Sequence, residues 1–338
     1  MGITAKELAK KLNLSAAAVS MALNHKPGVS TKTRQLVYDA AVKYGYDFSR
    51  ISEKRSMNGS VYLVLYKKHG TVVTDTPFFS EVTEGVSLEC KNQNFKLKIS
   101  YIYEDDTLQK QIEDLRYSDC SGMILLGTEM NAGDLSPFLS LSFPLVLLDA
   151  YFDTVPCDCV LMDNLQGAYL AARYLIRKCK TQPGYLRSSY QIGNFSRRAT
   201  GFYNAVRDFG MSASKSIVHR LPPSIDGAYA DMLEIIQSKE TLAPCYFADN
   251  DLIAVGAMKA FRQCDISVPG DISVVGFDNM PVSSVIEPAL TTVHVPKQYM
   301  GECAVRRLAE IMQNPGQPPV KIEVSTTLMK RQSVRLLP

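Results

Sequence analysis

The sequence lacks the features of several protein classes. No stretch of the 338 residues approaches the roughly 18 consecutive apolar residues of a membrane-spanning helix. The first residues, MGITAKELAKK, are charged and amphipathic and contain no apolar core of a signal peptide. These absences predict a cytoplasmic chain with no membrane partner.

Metal-binding patterns are also missing. The four histidines lie far apart in the sequence, and the eight cysteines form no Cys-x-x-Cys pair. Scattered cysteines of this kind are typical of reduced thiols in a cytoplasm rather than of a zinc site or a disulfide framework. The sequence therefore predicts no metal site and no bound cofactor.

Catalytic motifs are absent as well. No two glycines stand two positions apart, which excludes the Gly-x-Gly-x-x-Gly dinucleotide motif. The one Gly-x4-Gly spacing, Gly122 to Gly127, is followed by Thr128-Glu129 instead of the Lys-Ser/Thr of a phosphate loop. His-Glu-x-x-His and Gly-x-Ser-x-Gly do not occur either. The sequence therefore predicts a binding protein and not an enzyme.

Charge is distributed unevenly along the chain. Residues 1–60 contain ten Lys and Arg against four Asp and Glu, a net charge of +6, whereas the remaining residues have a net charge of −3. Phosphate binding needs local positive charge, so a small basic segment attached to a mildly acidic body is typical of a nucleic-acid-binding module on a sensor. A solvated, lysine-rich helical cap is the alternative interpretation.

The basic segment has the signals of three short helices. Thr4 with Glu7 forms a capping box, Ser15 and Ser30 stand where they can cap the next two helices, and Gly45 ends the third. The predicted helices cover about residues 5–12, 16–24 and 31–44. Three short helices with a tight first turn indicate a helix-turn-helix unit, whose second helix enters the major groove of DNA.

The rest of the chain has an α/β pattern. Short apolar runs such as VYLVLY, GMILLG, PLVLLD and ISVVGFDN alternate with amphipathic stretches such as NLQGAYLAARYLIRKC and DLIAVGAMKAFRQC. Buried strands that alternate with helices predict parallel sheets with helices on both faces. The number of units is too large for one small sheet, so we expect two doubly wound lobes.

Both parts resemble one family. The segment ITAKELAKKLNLSAAAVSMALNHKPGVSTKTRQLVYDAAVKYGY resembles the headpiece of the LacI/GalR family of bacterial transcription regulators. DNDLIAVGAMKAF, VPGDISVVGFDN and PALTTVHVPKQYMGECAVRRL resemble the family's periplasmic-binding-protein-like effector domain. The resemblance implies a headpiece over 1–46, a linker over 47–60 and a body over 61–338. It divides the body into lobes of about 61–162 plus 291–325 and 163–290 plus 326–338.

The resemblance also implies which headpiece residues contact DNA. The positions that contact phosphates in the family are, in this sequence, Ser15, Ser20, Asn24, Ser30, Thr33 and Tyr46. We add Thr4 as a further DNA-binding candidate. Ala16, Ala17 and Met21 occupy the base-facing positions. Small side chains of this kind contact thymine methyl groups but form no bidentate pair with guanine, so we expect affinity to depend on phosphates and DNA shape.

The linker departs from the family pattern. Phe48 stands where the family has a proline, and no leucine occupies the position that wedges into the minor groove. Arg55 entering a narrow minor groove, or Met57 acting as the wedge, would replace that leucine. A flexible linker without a hinge helix is the alternative.

The ligand site is predicted between the lobes. A sugar site needs an aromatic platform for the ring and fork-shaped polar partners for the hydroxyl groups. Positions that match the family's ligand site, or stand at strand ends where open α/β sheets bind ligands, are Phe78, Phe79, Asp149, Arg198, Asn250 and Asp278. Helix capping is the alternative role for Asp149 and Asn250.

Several further positions carry finer expectations. We expect one of Phe78 and Phe79 in the core and the other at the ligand, because adjacent residues on a helix do not share a face. Arg197 is expected at the surface, and Asp163 is expected to cap a helix. The aromatic platform of the opposite lobe has no clear position within LPPSIDGAYADM, where Ile225 and Tyr229 are the candidates.

Together these features predict a homodimeric repressor. It binds a near-palindromic double-stranded operator, because a two-fold symmetric protein reads two half-sites. A small effector, a sugar in the first instance, changes how the lobes are arranged. The alternatives are a solute-binding protein without DNA function, and a regulator of the same family that senses a nucleobase or a partner protein.

Overall fold

The computed structural model describes residues 3–24, 28–48, 59–68, 70, 72–73, 77–105 and 107–335. The predictions for Arg55, for Met57 and for a hinge helix fall on residues 49–58 and lie outside this description. Within the described ranges, no helix combines the length and the hydropathy that crossing a membrane requires.

Residues 3–24 and 28–48 contain the three predicted helices. These are α1 (Ala5–Leu12), α2 (Ala16–Leu23) and α3 (Thr31–Lys43). Each begins at a hydroxyl side chain that accepts a hydrogen bond from the backbone three residues later, namely Thr4, Ser15 or Ser30. The helices enclose a small apolar core that includes the fully buried Leu8 and Val19.

The first lobe is a six-stranded parallel sheet with helices on both faces. Its strands are β1 (Ser60–Lys67), β2 (Lys96–Tyr103), β3 (Cys120–Leu126), β4 (Leu145–Leu148), β5 (Asp158–Met162) and β11 (Lys321–Val324), in the order β11-β5-β4-β3-β1-β2. Its helices are α4 (Pro77–Asn92), α5 (Leu108–Arg116), α6 (Ala132–Leu139) and α12 (Lys297–Gln313). Helices α4 and α12 pack together on one face of the sheet.

The second lobe is built in the same way. Its strands are β6 (Gly184–Ser188), β7 (Val218–Leu221), β8 (Cys245–Ala248), β9 (Ser273–Asp278), β10 (Thr291–His294) and β12 (Thr327–Met329), in the order β12-β10-β9-β8-β6-β7. Its helices are α7 (Asn164–Cys179), α8 (Gly193–Asp208), α9 (Ile225–Gln237), α10 (Asp251–Gln263) and the short α11 (Val282–Val285). Only β12 runs antiparallel to its neighbour.

One predicted lobe boundary is wrong. Residues 291–325 were assigned to the first lobe, but Thr291–His294 form β10, which pairs with β9 of the second lobe. The buried Thr292 donates a hydrogen bond from its hydroxyl to Asp251, 2.5 Å away, and this bond ties the strand to its own lobe. The chain crosses to the first lobe only after His294, before α12 begins at Lys297.

Helix pairs in both lobes are in backbone contact at glycines. A Cβ atom added to Gly85 of α4 would lie 1.9 Å from the carbonyl oxygen of Gln298 in α12, and one added to Gly301 would lie 2.3 Å from that of Val82. In the second lobe, a Cβ on Gly201 of α8 would lie 2.2 Å from the carbonyl oxygen of Leu165 in α7. A side chain at any of these glycines would force the helices apart.

Candidate DNA-binding and ligand-binding sites

Helix α2 presents small side chains to solvent. Ser15, Ala16, Ala17 and Ser20 are exposed, and Met21 is half-buried, on the side of the helix away from the headpiece core. The exposed surface of α2 therefore contains hydroxyl and methyl groups and no long polar side chain. Such a surface fits closely into a groove and contacts methyl groups, but it makes no bidentate contact with a base.

Several predicted DNA-binding residues already have structural partners. Thr4, Ser15 and Ser30 cap their helices, and the hydroxyl groups of Ser30 and Thr33 lie 2.8 Å apart. The Asn24 amide donates to the carbonyl oxygen of Ser20 at 2.7 Å, so the end of α2 is also closed by a side chain. The serine and threonine oxygens remain exposed at helix N-termini, where backbone N–H groups favour an anion.

Tyr46 belongs partly to the headpiece core. Its half-buried ring packs edge-on against Phe48, with ring centroids 5.5 Å apart. The ring therefore has a structural role in addition to the phosphate contact that the resemblance implies for its hydroxyl group.

A small cavity lies between the two lobes. Its volume is about 50 Å³, which is room for about four water molecules. The lining residues include all six predicted ligand-site residues, Phe78, Phe79, Asp149, Arg198, Asn250 and Asp278. The structure thus brings together six side chains that lie up to 200 positions apart in the sequence, from Phe78 to Asp278. A ligand larger than this volume requires the lobes to separate or the lining side chains to move.

Arg198 is the most heavily bonded side chain of the cavity. Its guanidinium donates to Asn164 Oδ1 at 2.8 Å, to the Asp249 carbonyl oxygen at 2.5 Å and to Asp278 Oδ1 at 3.1 Å. It also lies over the ring of Phe277, 3.8 Å from the centroid. Because only 3% of Arg198 is exposed, these contacts operate in a medium that screens charge weakly.

Asp278 ends β9 in an unusual conformation. Its φ of +103° is rare for a residue with a side chain, and it turns the chain so that the carboxylate faces Arg198. Burial raises the pKa of Asp278 above its ordinary value, while Arg198 and Lys297 act in the opposite direction. Strain at a strand end beside a cavity is typical of a functional site.

Asp149 connects the lobes. Its carboxylate accepts from Thr128 Oγ1 at 2.6 Å within the first lobe and from Asn194 Nδ2 at 3.0 Å in the second lobe. Burial raises the pKa of Asp149 to about 6, although Thr128 and Arg198 both act to lower it. The capping alternative does not apply, because Asp149 caps none of the described helices.

Asn250 has both of the roles considered for it. Its side chain lines the cavity, and its Oδ1 accepts from the Ile253 backbone N–H at 2.9 Å to cap α10. Asp163 caps α7 as predicted, by accepting from the Gln166 backbone N–H at 2.9 Å.

Two finer expectations are wrong. Phe78 and Phe79 both line the cavity, because the first turn of α4 faces the opening between the lobes and their rings pack edge-on at 5.1 Å. The aromatic ring of the second lobe is Phe195, one helical turn before Arg198, whereas Ile225 and Tyr229 are not among the lining residues. Arg197 lies outside the cavity lining as predicted, with 29% of its side chain exposed, and forms an ion pair with Glu323 of the first lobe.

Sequence reasoning missed the residues that hold this site in place. Asn164 and Asn194 bond each other at 3.0 Å and orient Arg198 and Asp149. Asp249 accepts from the Tyr185 hydroxyl and from the Ser188 backbone N–H, and burial raises its pKa to about 6. Asp249 and Asn250 directly follow β8, and this position at a strand end is the sequence signal from which Asp249 could have been predicted.

Glu129 binds the backbone at four residues that precede α4 in the chain. Its buried carboxylate accepts four backbone N–H groups at 2.8 to 3.2 Å, those of Lys68, Gly70, Val72 and Val73. Val72 lines the cavity, so this carboxylate positions part of the wall.

The chain is similar to known regulators over nearly its whole length. Residues 172–334 match the model of a periplasmic binding protein-like domain. The HTH-type transcriptional regulator GalS of Salmonella typhimurium is 30% identical over 305 residues, which cover 89% of this chain and 88% of GalS. The chain belongs to the LacI/GalR family. It is therefore a DNA-binding transcriptional regulator with an effector-binding body, and members of this family are not enzymes.

Solved structures share the fold. A Lac repressor dimer bound to operator and the anti-inducer ONPF superposes with a TM-score of 0.71 at 20% identity, covering 98% of this chain and 99% of the other. A complex of the transcriptional regulator CelR with cellobiose gives 0.72 at 22% identity, with the same coverage of both chains. The family's architecture of a small helical headpiece and two parallel-sheet lobes is thus present here.

Proposed function

We propose that the protein is a homodimeric repressor whose operator binding is controlled by a sugar that binds between the lobes. The observation that carries this proposal is the arrangement of Arg198 and Asp278 at one wall of the cavity, with aromatic rings on both walls. Control follows if the ligand binds one arrangement of the lobes more tightly than the other.

The chemistry of the cavity favours a neutral, hydroxyl-rich ligand. Phe78 and Phe79 on one side and Phe195 on the other offer apolar faces, while Asp278 and Asn250 offer acceptors. The buried acids near the cavity, Asp149, Asp249 and Asp278, outnumber Arg198, which disfavours an anion. CelR, which shares the fold, has been solved with cellobiose. A nucleobase between the rings is the second candidate, because an Arg-Asp pair also fits the edge of a planar heterocycle.

An exposed apolar surface of the first lobe supports the homodimer. Leu88, Ile99 and Tyr101 are exposed and line a groove of about 610 Å³ between α4 and β2. A second copy that covers this groove would remove these apolar side chains from water.

A test of the dimer follows from this groove. Sedimentation of the full chain is expected to give a dimer, and Leu88→Glu is expected to shift it toward monomer, because a charge would be buried in the interface. Lys110→Glu on the exposed surface of α5 is the matched control. A dimer that is as stable with Leu88→Glu as without it would place the interface elsewhere.

The operator proposal is tested by selection from a pool of random duplexes. We expect a near-palindromic site that is rich in A·T pairs where α2 reads, because methyl contacts are the readout that Ala16 and Ala17 provide. Deletion of residues 1–58 is expected to abolish duplex binding and leave ligand binding intact. Selected sites without two-fold symmetry would contradict the proposal that a symmetric dimer binds the operator.

The effector class is tested by thermal shift. Monosaccharides, disaccharides, sugar phosphates and purines are screened against the full chain, and a ligand at 100 times its Kd adds about 2.7 kcal/mol to stability. A sugar response that is lost in Arg198→Lys and kept in Arg197→Ala would support the proposal. A purine response would replace the sugar by the second candidate, and no response to the panel would point to a partner protein as the effector.

A further inference from the structure

The headpiece contacts the first lobe at a defined surface. The Tyr117 hydroxyl, at the end of α5, donates a hydrogen bond to Asp39 Oδ1 of α3 at 3.1 Å. The hydroxyl groups of Tyr38 and Ser142 lie 2.9 Å apart, and the Tyr38 and Tyr117 rings meet edge-on with centroids 6.1 Å apart. We name Tyr117 and Ser142 the docking surface of the first lobe.

Phe48 extends this contact into the headpiece. Its half-buried ring lies 5.2 Å from Tyr38 and 5.5 Å from Tyr46, between centroids. The four rings therefore form a continuous cluster from the headpiece core to the first lobe. Phe48 is also the residue that replaces the family's proline at the start of the linker, so this departure has a structural counterpart.

We propose that the docking surface holds the headpiece against the first lobe of the same chain and sets its orientation. Phe48 anchors the headpiece side of the contact. The arrangement is compatible with DNA reading, because Ala16, Ala17 and Ser20 remain exposed while α3 contacts Tyr117. Orientation is thereby set by side-chain contacts, in a chain whose linker lacks the leucine wedge and the proline of the family.

A small contact is sufficient for docking. The residues numbered 49–58 join the headpiece to the body, and a tether of this length keeps two modules at millimolar effective concentration. A contact whose Kd lies below this effective concentration is then largely formed. One edge-on aromatic pair and two side-chain hydrogen bonds are of the strength that this requires.

The test is the tumbling of the headpiece in the full chain, measured from amide line widths by NMR. A docked headpiece tumbles with the body and gives broad resonances, whereas a released one gives narrow resonances. We expect broad headpiece resonances in the natural protein and narrow ones in Tyr117→Ala. Asp39→Ala and Phe48→Pro are expected to narrow them as well. Asp39 is exposed, so its replacement leaves both cores intact.

Tyr169→Ala is the matched control. Tyr169 donates to Asp208 at 3.0 Å, which is also a tyrosine–aspartate pair between two helices, but both helices belong to the second lobe. This variant is expected to leave the headpiece resonances broad. Narrow headpiece resonances in the natural protein would overturn the proposal. Resonances that stay broad in Tyr117→Ala, Asp39→Ala and Phe48→Pro would overturn it equally.

Discussion

The two walls of the cavity are held in place by different means. On the second lobe, charged and amide side chains bond one another, with Arg198 contacting Asn164, Asp278 and the backbone of Asp249. On the first lobe, one carboxylate, that of Glu129, binds four backbone N–H groups at residues that precede the aromatic rings in the chain. The contacts of the second lobe therefore orient side chains, whereas those of the first lobe orient the backbone.

This difference has a consequence for ligand control. A network of buried side chains keeps a rigid geometry, because every member is needed to satisfy the others. Backbone groups that share one side-chain anchor lose their common attachment when that side chain is replaced. We therefore expect the second lobe to determine how a ligand is oriented and the first lobe to determine how far the cavity closes over it.

Removal of Arg198 is expected to have the largest effect. Arg198→Ala leaves Asp278 as an unpaired buried charge, which costs about 3–5 kcal/mol. Urea unfolding of the full chain measures this loss, with Arg198→Lys as the milder variant that keeps a charge. A loss below 1 kcal/mol in Arg198→Ala would show that the network of the second lobe is not held by this residue.

The anchor of the first lobe is next. Glu129→Gln replaces one acceptor oxygen by an amide that faces backbone N–H donors, so we expect a loss of about 2 kcal/mol. Hydrogen exchange should increase at the amides of Lys68, Gly70, Val72 and Val73. Glu113→Gln on α5 is the control and should change stability by less than ~0.5 kcal/mol. Unchanged exchange at the four amides would contradict the anchoring role.

A buried carboxyl group in the second lobe is expected to make the stability of the protein depend on pH. Burial raises the pKa of Asp251, in the second lobe, to about 8, so the folded protein holds a proton that the unfolded chain has released. Stability from this group is complete below about pH 4, the ordinary pKa of an Asp, and is lost progressively until the pH has risen through 8. Relative to Asp251→Asn, the natural protein should therefore lose about 1 kcal/mol between pH 7 and pH 9. Other groups cancel in this difference, and a constant difference would exclude the buried proton.

The smallest effect is expected at the ion pair between the lobes. Arg197 and Glu323 are each 29% exposed, so Arg197→Ala should cost less than ~1 kcal/mol, and less still in high salt. Lys321→Ala removes a cation from the same Glu323 without crossing between lobes and is the control. A loss in Arg197→Ala as large as that in Arg198→Ala would remove the distinction between the neighbouring arginines.

Local signals allowed much of this structure to be predicted. The capping box at Thr4, the caps at Ser15 and Ser30, and the cap at Asp163 depend on residues three positions apart, and the structure confirms them. The alternation of apolar runs and amphipathic stretches likewise predicted two lobes of parallel sheets. These features need only neighbours in the sequence.

The errors concern contacts between distant residues. Strand β10 belongs to the second lobe because of its pairing with β9 and the bond from Thr292 to Asp251, which no local pattern contains. Glu129 contacts amides about 60 positions earlier in the chain, and Asn194 contacts Asp149 across the lobes. Phe195 was predictable in principle, since it stands one helical turn before Arg198.

The four amides that Glu129 binds also bear on what the cavity can recognise. Backbone N–H groups that converge on one point form a receptor for phosphate in other proteins. Here a carboxylate of the protein itself occupies the backbone N–H groups of Lys68, Gly70, Val72 and Val73. Of these residues Val72 lines the cavity, so we expect that its backbone N–H is not free to bind a phosphate group of an effector.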